Sequence, residues 1–78
     1  SSGPLLIILP AVRCNPATID RIRALLKQYH GATDVHLKLK NGAKTTLFKL
    51  DPGLRVDASG PLVADLKALL GPSCVATQ

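Results

Sequence analysis

The sequence predicts an α+β domain. It should be a two-layer sandwich of order β-α-β-β-β-α, with two helices on one face of a three- or four-stranded sheet. Three observations predict this. Residues 35–50, VHLKLKNGAKTTLFKL, alternate apolar and polar side chains on either side of a turn signal, as a half-buried hairpin does. Two other segments each carry one apolar helical stripe between a capping residue and a glycine. Each of these pieces has a single oily face, and stacking those faces in two layers is the simplest way to bury them.

Residues 1–4, Ser-Ser-Gly-Pro, read as a cloning remnant and are set aside. The folded domain is expected over residues 5–72, with 73–78 a tail or a short final strand. Without the remnant the chain opens directly on a strand, which points to a piece of a longer protein. That strand is Leu5-Leu6-Ile7-Ile8-Leu9, a continuous apolar run ended by Pro10. Such a run suits a central strand covered on both sides, or one covered by neighbouring domains of a parent protein. Asn15 is a good N-cap and Pro16 a good first residue for the first helix. Its inner stripe is Ile19, Ile22, Leu25, Leu26 and Tyr29, and Gly31 is the expected C-terminal stop.

In the hairpin, Val35, Leu37 and Leu39 share one face, and His36, Lys38 and Lys40 the other. Asn41-Gly42 marks the turn. A turn centred on Asn41-Gly42 pairs Leu37 with Thr46. A turn centred on Gly42-Ala43 pairs Leu37 with Phe48 and Val35 with Leu50, and is preferred because it matches more apolar residues. Either way Phe48 and Leu50 point inward, and the outer face holds His36, Lys38, Lys40, Leu47 and Lys49. Asp51-Pro52-Gly53 is a turn, and Leu54-Arg55-Val56 a short strand. Ser59 is the expected cap of the second helix, whose stripe is Leu62, Val63, Leu66, Leu69 and Leu70 before Gly71-Pro72. The β1-to-hairpin connection is expected to be a right-handed crossover.

Composition narrows the function. Seventy-eight residues make one domain, and with one Tyr, one Phe and no Trp its core is aliphatic. Ten Lys and Arg against five acids give a net charge of +5, which favours acidic partners. The five acids, Asp20, Asp34, Asp51, Asp57 and Asp65, are isolated and suit caps, turns and surface. No phosphate loop or HExxH is present, and no cofactor is expected. Cys14, Cys74, His30 and His36 lack the close ligand spacing of zinc sites, so no metal is assigned. The cysteines are expected to be buried or inert thiols of a cytoplasmic protein. No segment is long enough to cross a membrane.

The chain's second half, GATDVHLKLKNGAKTTLFKLDPGLRVDASGPLVADLKALLG, is preceded by CNPATIDRIRALLKQYH. Together they resemble the C-terminal region of bacterial DNA polymerase III α subunits. The shared pieces are a helix closing at His30-Gly31, a V-H-L-x-L strand at 35–39, a return strand at 45–50, an L-x-V strand at 54–56, and a Ser59-capped helix ending L-K-A-L-L-G. The resemblance implies an interaction domain that docks the polymerase on the clamp-loader τ subunit, the catalytic carboxylates lying elsewhere in the parent. The tail has no clamp-binding motif of the Gln-x-x-Leu-x-Phe kind.

The expected contact residues come from the outer face: Lys38, Lys40, Leu47 and Lys49. A second reading is a basic DNA-binding module that adds Arg21, Arg23, Lys27 and Lys44 as phosphate contacts. It ranks lower because the only aromatic residues, Tyr29 and Phe48, are expected in the core and not free to stack on bases. A third is a small-molecule regulatory domain with a final strand at 73–76. The isolated domain is expected to be a monomer that also contacts the rest of its polymerase chain.

Overall fold

The computed structural model describes residues 3–76. Gly3 and Pro4 of the expected remnant, and residues 73–76 of the expected tail, are among them. The strands are β1 (Leu5–Pro10), β2 (His30–Thr33), β3 (Val35–Asn41), β4 (Lys44–Lys49) and β5 (Val75–Ala76). The helices are α1 (Pro16–Gln28) and α2 (Gly60–Leu70). Short 3₁₀ turns follow β1 and precede Arg55. The sheet order is β4-β3-β1-β5, with β1 and β3 parallel and both outer pairs antiparallel.

The core is one aliphatic cluster. Leu5, Ile7 and Leu9 of β1 and Val35 of β3 meet Ile22 and Leu26 of α1, and Leu62, Leu66 and Leu70 of α2. Both helices therefore cover the same side of the sheet, as the paired stripes predict. Asn15 caps α1, its side-chain oxygen accepting from the Thr18 amide at 2.9 Å. Ser59 stands at the N-cap of α2 without a side-chain cap bond. Gly71 ends that helix at φ +103°, a conformation that L side chains rarely adopt.

The hairpin takes the preferred register: Leu37 pairs with Phe48, Leu39 with Thr46, and the Leu50 amide donates to the Val35 carbonyl. Gly42 sits at φ +62° and Ala43 does not have positive φ, the pattern of a two-residue loop with glycine first.

Three expectations are corrected, and of the two readings of β1 the one that buries both its sides within this domain is set aside. Gly31 is not a helix stop: the chain turns at Tyr29 and Gly31 lies in β2. Residues 54–56 do not form a strand. Val56 alone bridges to His30 and Thr33, and is fully buried between them and the core. Phe48 is on the inward side of the hairpin but 46% exposed, because β4 contributes no buried residue and neither helix covers it. β1 is covered on one side only. Leu6 and Ile8 alternate away from the helices and are half-buried.

Tyr29 ties the two helices together. Its hydroxyl donates to Asp65 Oδ2 at 2.6 Å. That bond, then burial, then the Asp65 charge, hold its phenol above the ordinary value of 10.0. A raised folded-state value means that this contribution to stability is complete below pH 10 and is lost as pH rises through the folded value. With one tyrosine and no tryptophan, phenolate absorbance reports it cleanly. The midpoint is expected above 10 in the native chain and closer to 10 in Asp65→Ala. Equal midpoints in the two proteins would remove Asp65 as the cause.

Candidate docking surface

The sheet's open face is built by strand alternation alone. Leu5, Ile7 and Leu9 point to the helices, so Leu6, Ile8 and Pro10 point away. The pairings carry the same side across to β3 and β4. One row runs Leu47–Lys38–Ile8, the next Lys49–His36–Leu6, and a third Thr45–Lys40–Pro10. Lys38, Lys40, Leu47 and Lys49 therefore stand together on one surface, and no acid lies in these three rows. Leu47 is 51% exposed. Lys38 stands between Leu47 and Ile8 and is itself half-buried.

Sequence reasoning missed the apolar members of this surface. Leu6 and Ile8 were expected to be covered, either within this domain or by neighbouring domains of a parent; within the domain they are half-buried, and beside Leu47 they give the basic face an apolar strip. The signal was the unbroken apolar run of β1, which supplies an oily residue to both sides of the sheet. A surface of this composition suits a partner that brings apolar side chains together with carboxylates.

The other expected cations do not join it. Lys44 alternates with Thr46 and Phe48, and so stands on the helix side of the sheet. Arg21 lines a shallow depression with Ala24, Leu25, Gln28 and Leu69, on the flank of α1 that faces α2. Arg23 lies on the opposite flank, beside the hairpin. Lys27 is exposed one turn beyond Arg23. The eight basic and apolar positions expected to make contacts thus fall on separate surfaces, with only the outer-face four in one patch.

Arg55 Nε and Asp34 Oδ1, 2.6 Å apart, fasten the Val56 segment beside the start of β3. Both side chains are about half exposed, so the pair contributes little to stability. Of the cysteines, each expected to be a buried or inert thiol, Cys74 is buried, and burial pushes its thiol up, whereas Cys14 is exposed. Among the described residues no group of three or more His, Cys, Asp or Glu is placed to hold a metal ion. No helix among them is long and apolar enough to cross a membrane.

Comparison with known proteins gives a consistent relative. The chain is 39% identical over 72 residues to DNA polymerase III subunit alpha of Mycobacterium leprae, and matches the same subunit of two strains of Mycobacterium tuberculosis equally well. The match takes in 92% of this chain but only 6% of each relative, so the chain spans a small fraction of their length. No family model matches the chain, and no solved structure does. Across nearly all of its length, this chain is similar to one short segment of the DNA polymerase III alpha subunit.

Proposed function

We propose that this domain is a non-catalytic protein-interaction segment of a replicative DNA polymerase III α-like subunit, and that it tethers the polymerase to the clamp-loader τ subunit during DNA replication. The observation that carries this reading is the 39% identity of nearly the whole chain to a 6% segment of the alpha subunit. The docking surface is the open sheet face, where Leu47, Ile8 and Leu6 supply apolar contact and Lys38, Lys40 and Lys49 meet acidic groups on the partner. The rows that bring these side chains together support it. The polymerase chemistry belongs to the rest of the parent protein.

The test is binding of τ to the domain and to a Lys38→Glu/Lys40→Glu variant. Both lysines are on the solvent side of the sheet, so the fold is kept. Reversing two charges against an acidic partner is expected to weaken binding about tenfold or more, the equivalent of about 1.4 kcal/mol. Unchanged binding would remove the outer face from the proposal. If τ does not bind while single-stranded DNA does, with an affinity that falls steeply with salt and is lost in the same variant, the face is a nucleic-acid surface instead.

A further inference from the structure

We propose that the outer edge of β4 is a docking site for an extended acidic segment of a partner protein, which joins the sheet as an added strand. β4 ends the sheet order β4-β3-β1-β5, and among the described residues no strand or loop is hydrogen-bonded along its outer side. The pairing fixes which of its backbone groups are left over. The Leu50 amide donates to the Val35 carbonyl, and bonded and non-bonded pairs alternate along an antiparallel ladder. Phe48, Thr46 and Lys44 therefore direct their backbone groups to β3. The amides and carbonyls of Thr45, Leu47 and Lys49 point outward.

Two observations select a strand as the occupant. Of the large apolar side chains exposed among the described residues, two are consecutive in β4, Leu47 at 51% and Phe48 at 46%. They lie on opposite faces of the sheet. A partner resting on either face covers one of them and leaves the other. A strand added at the edge sets a side chain beside each, and pairs the outward backbone groups as well. The edge is also unguarded. Edge strands are commonly protected by a bulge, a proline or a central charge. β4 has no proline, and its six pairs with β3 run without a bulge. Its middle, 45–48, is uncharged and holds two threonines and a phenylalanine, which favour strands.

Charge selects an acidic one. Lys44 and Lys49 stand at the two ends of β4, and no acid occurs from residue 35 to residue 50. A second copy of this chain supplies no carboxylate from its own β4 and adds another charge of +5. The occupant therefore comes from a different protein. Antiparallel pairing is the more stable kind, and it sets the order of the added strand. Read in its own direction, that strand has an acid across from Lys49, apolar residues across from Phe48 and Leu47, β-branched residues across from Thr46 and Thr45, and an acid across from Lys44. The edge meets the open face at Leu47 and Lys49 but does not depend on it. A partner resting on that face alone leaves the outward amides free.

The test is a titration of the isotope-labelled 78-residue chain with a synthetic peptide whose core is Glu-Val-Ile-Thr-Thr-Glu. The amides of Thr45, Leu47 and Lys49 are expected to become protected from hydrogen exchange, while those of Thr46 and Phe48, already bonded to β3, change little. N-methylation of the peptide tests the pairing itself. Blocking the isoleucine amide, which donates to Leu47, is expected to weaken binding about tenfold or more. Blocking the amide of the next threonine, which points away from β4, is expected to change it by less than about threefold. Lys44→Glu lies beside the turn, outside the open-face rows, and is expected to weaken binding about fivefold, as is replacing both peptide glutamates with lysine. Absence of binding, equal binding of the two methylated peptides, equal binding of the lysine peptide, or shifts confined to Leu6, Ile8 and Lys38 would each overturn the proposal. Two further results would overturn it by giving the edge to another occupant. Protection of the three amides that rises with concentration in the peptide-free chain assigns the edge to a second copy. Protection without peptide in the longer subunit proposed above assigns it to a neighbouring segment of that subunit.

Discussion

Gly31→Ala is expected to cost about 3 kcal/mol, although it adds one methyl group to a residue in a strand. A Cβ at Gly31 would stand 2.5 Å from the Val56 carbonyl carbon and 2.6 Å from its oxygen, and closer still to the Asp57 nitrogen. All of these are backbone atoms, and none can swing aside as a side-chain tip would. Making room separates β2 from the Val56 segment. That weakens the Gly31 amide bond to the Arg55 carbonyl at 3.1 Å and the Asp57 amide bond to the Tyr29 carbonyl at 2.6 Å. It also lifts Val56, fully buried, from the core. A chain of this size has about 4 to 12 kcal/mol of stability in total, so the loss should be plain in urea unfolding. Gly53→Ala is the control. No atom lies within 4 Å of its added Cβ and its φ is ordinary, so stability should change by less than about 1 kcal/mol. Equal effects at the two glycines would show that the approach of β2 to Val56 is not tight.

The second large effect is expected at Leu66. It is fully buried in α2, within the cluster that joins both helices to β1 and β3. Leu66→Ala removes that contact and leaves a cavity that flanking aliphatic residues fill only partly. The cost is about 2 to 5 kcal/mol. Leu69→Ala, one turn away by angle and only half-buried, should cost clearly less. The ordering follows from which of the five apolar positions of the helix point at the sheet. If the two variants unfold at the same denaturant concentration, α2 does not pack through Leu66.

Much of this fold was legible because local signals and tertiary demand agree. The hairpin register follows from matching Leu37 with Phe48, and a one-residue slip would have turned the leucines toward solvent. The caps at Asn15 and Gly71 and the stripes of both helices are local chemistry, and they hold. What was not legible depends on where the layers end. His30-Gly31-Ala32-Thr33 has weak strand propensity, and a glycine after a helix has two uses. It serves either as a left-handed cap or as a place where another backbone must come close, and only the neighbour, Val56, decides between them. Phe48 was read as core because its face is right. Its exposure depends on how far the helices reach across the sheet, which no period in the sequence encodes.

The candidate surface was legible by half. Alternation puts Lys38, Lys40, Leu47 and Lys49 together, because residues two apart and residues cross-strand from one another share a face. The contribution of β1 was not legible. An all-apolar strand reads as covered on both sides, by its own domain or by neighbouring ones, whereas here Leu6 and Ile8 are half-buried beside the lysines. The second side of this oily strand is the side that neither helix of the domain covers.

The most direct check on the open-face surface is a titration of isotope-labelled domain with the clamp-loader τ subunit, followed by amide and methyl shifts. The account predicts that Leu6, Ile8, Lys38, Lys40, Leu47 and Lys49 move together and saturably while the core signals of Leu62 and Leu66 stay in place. Saturable binding with those six unmoved would contradict it.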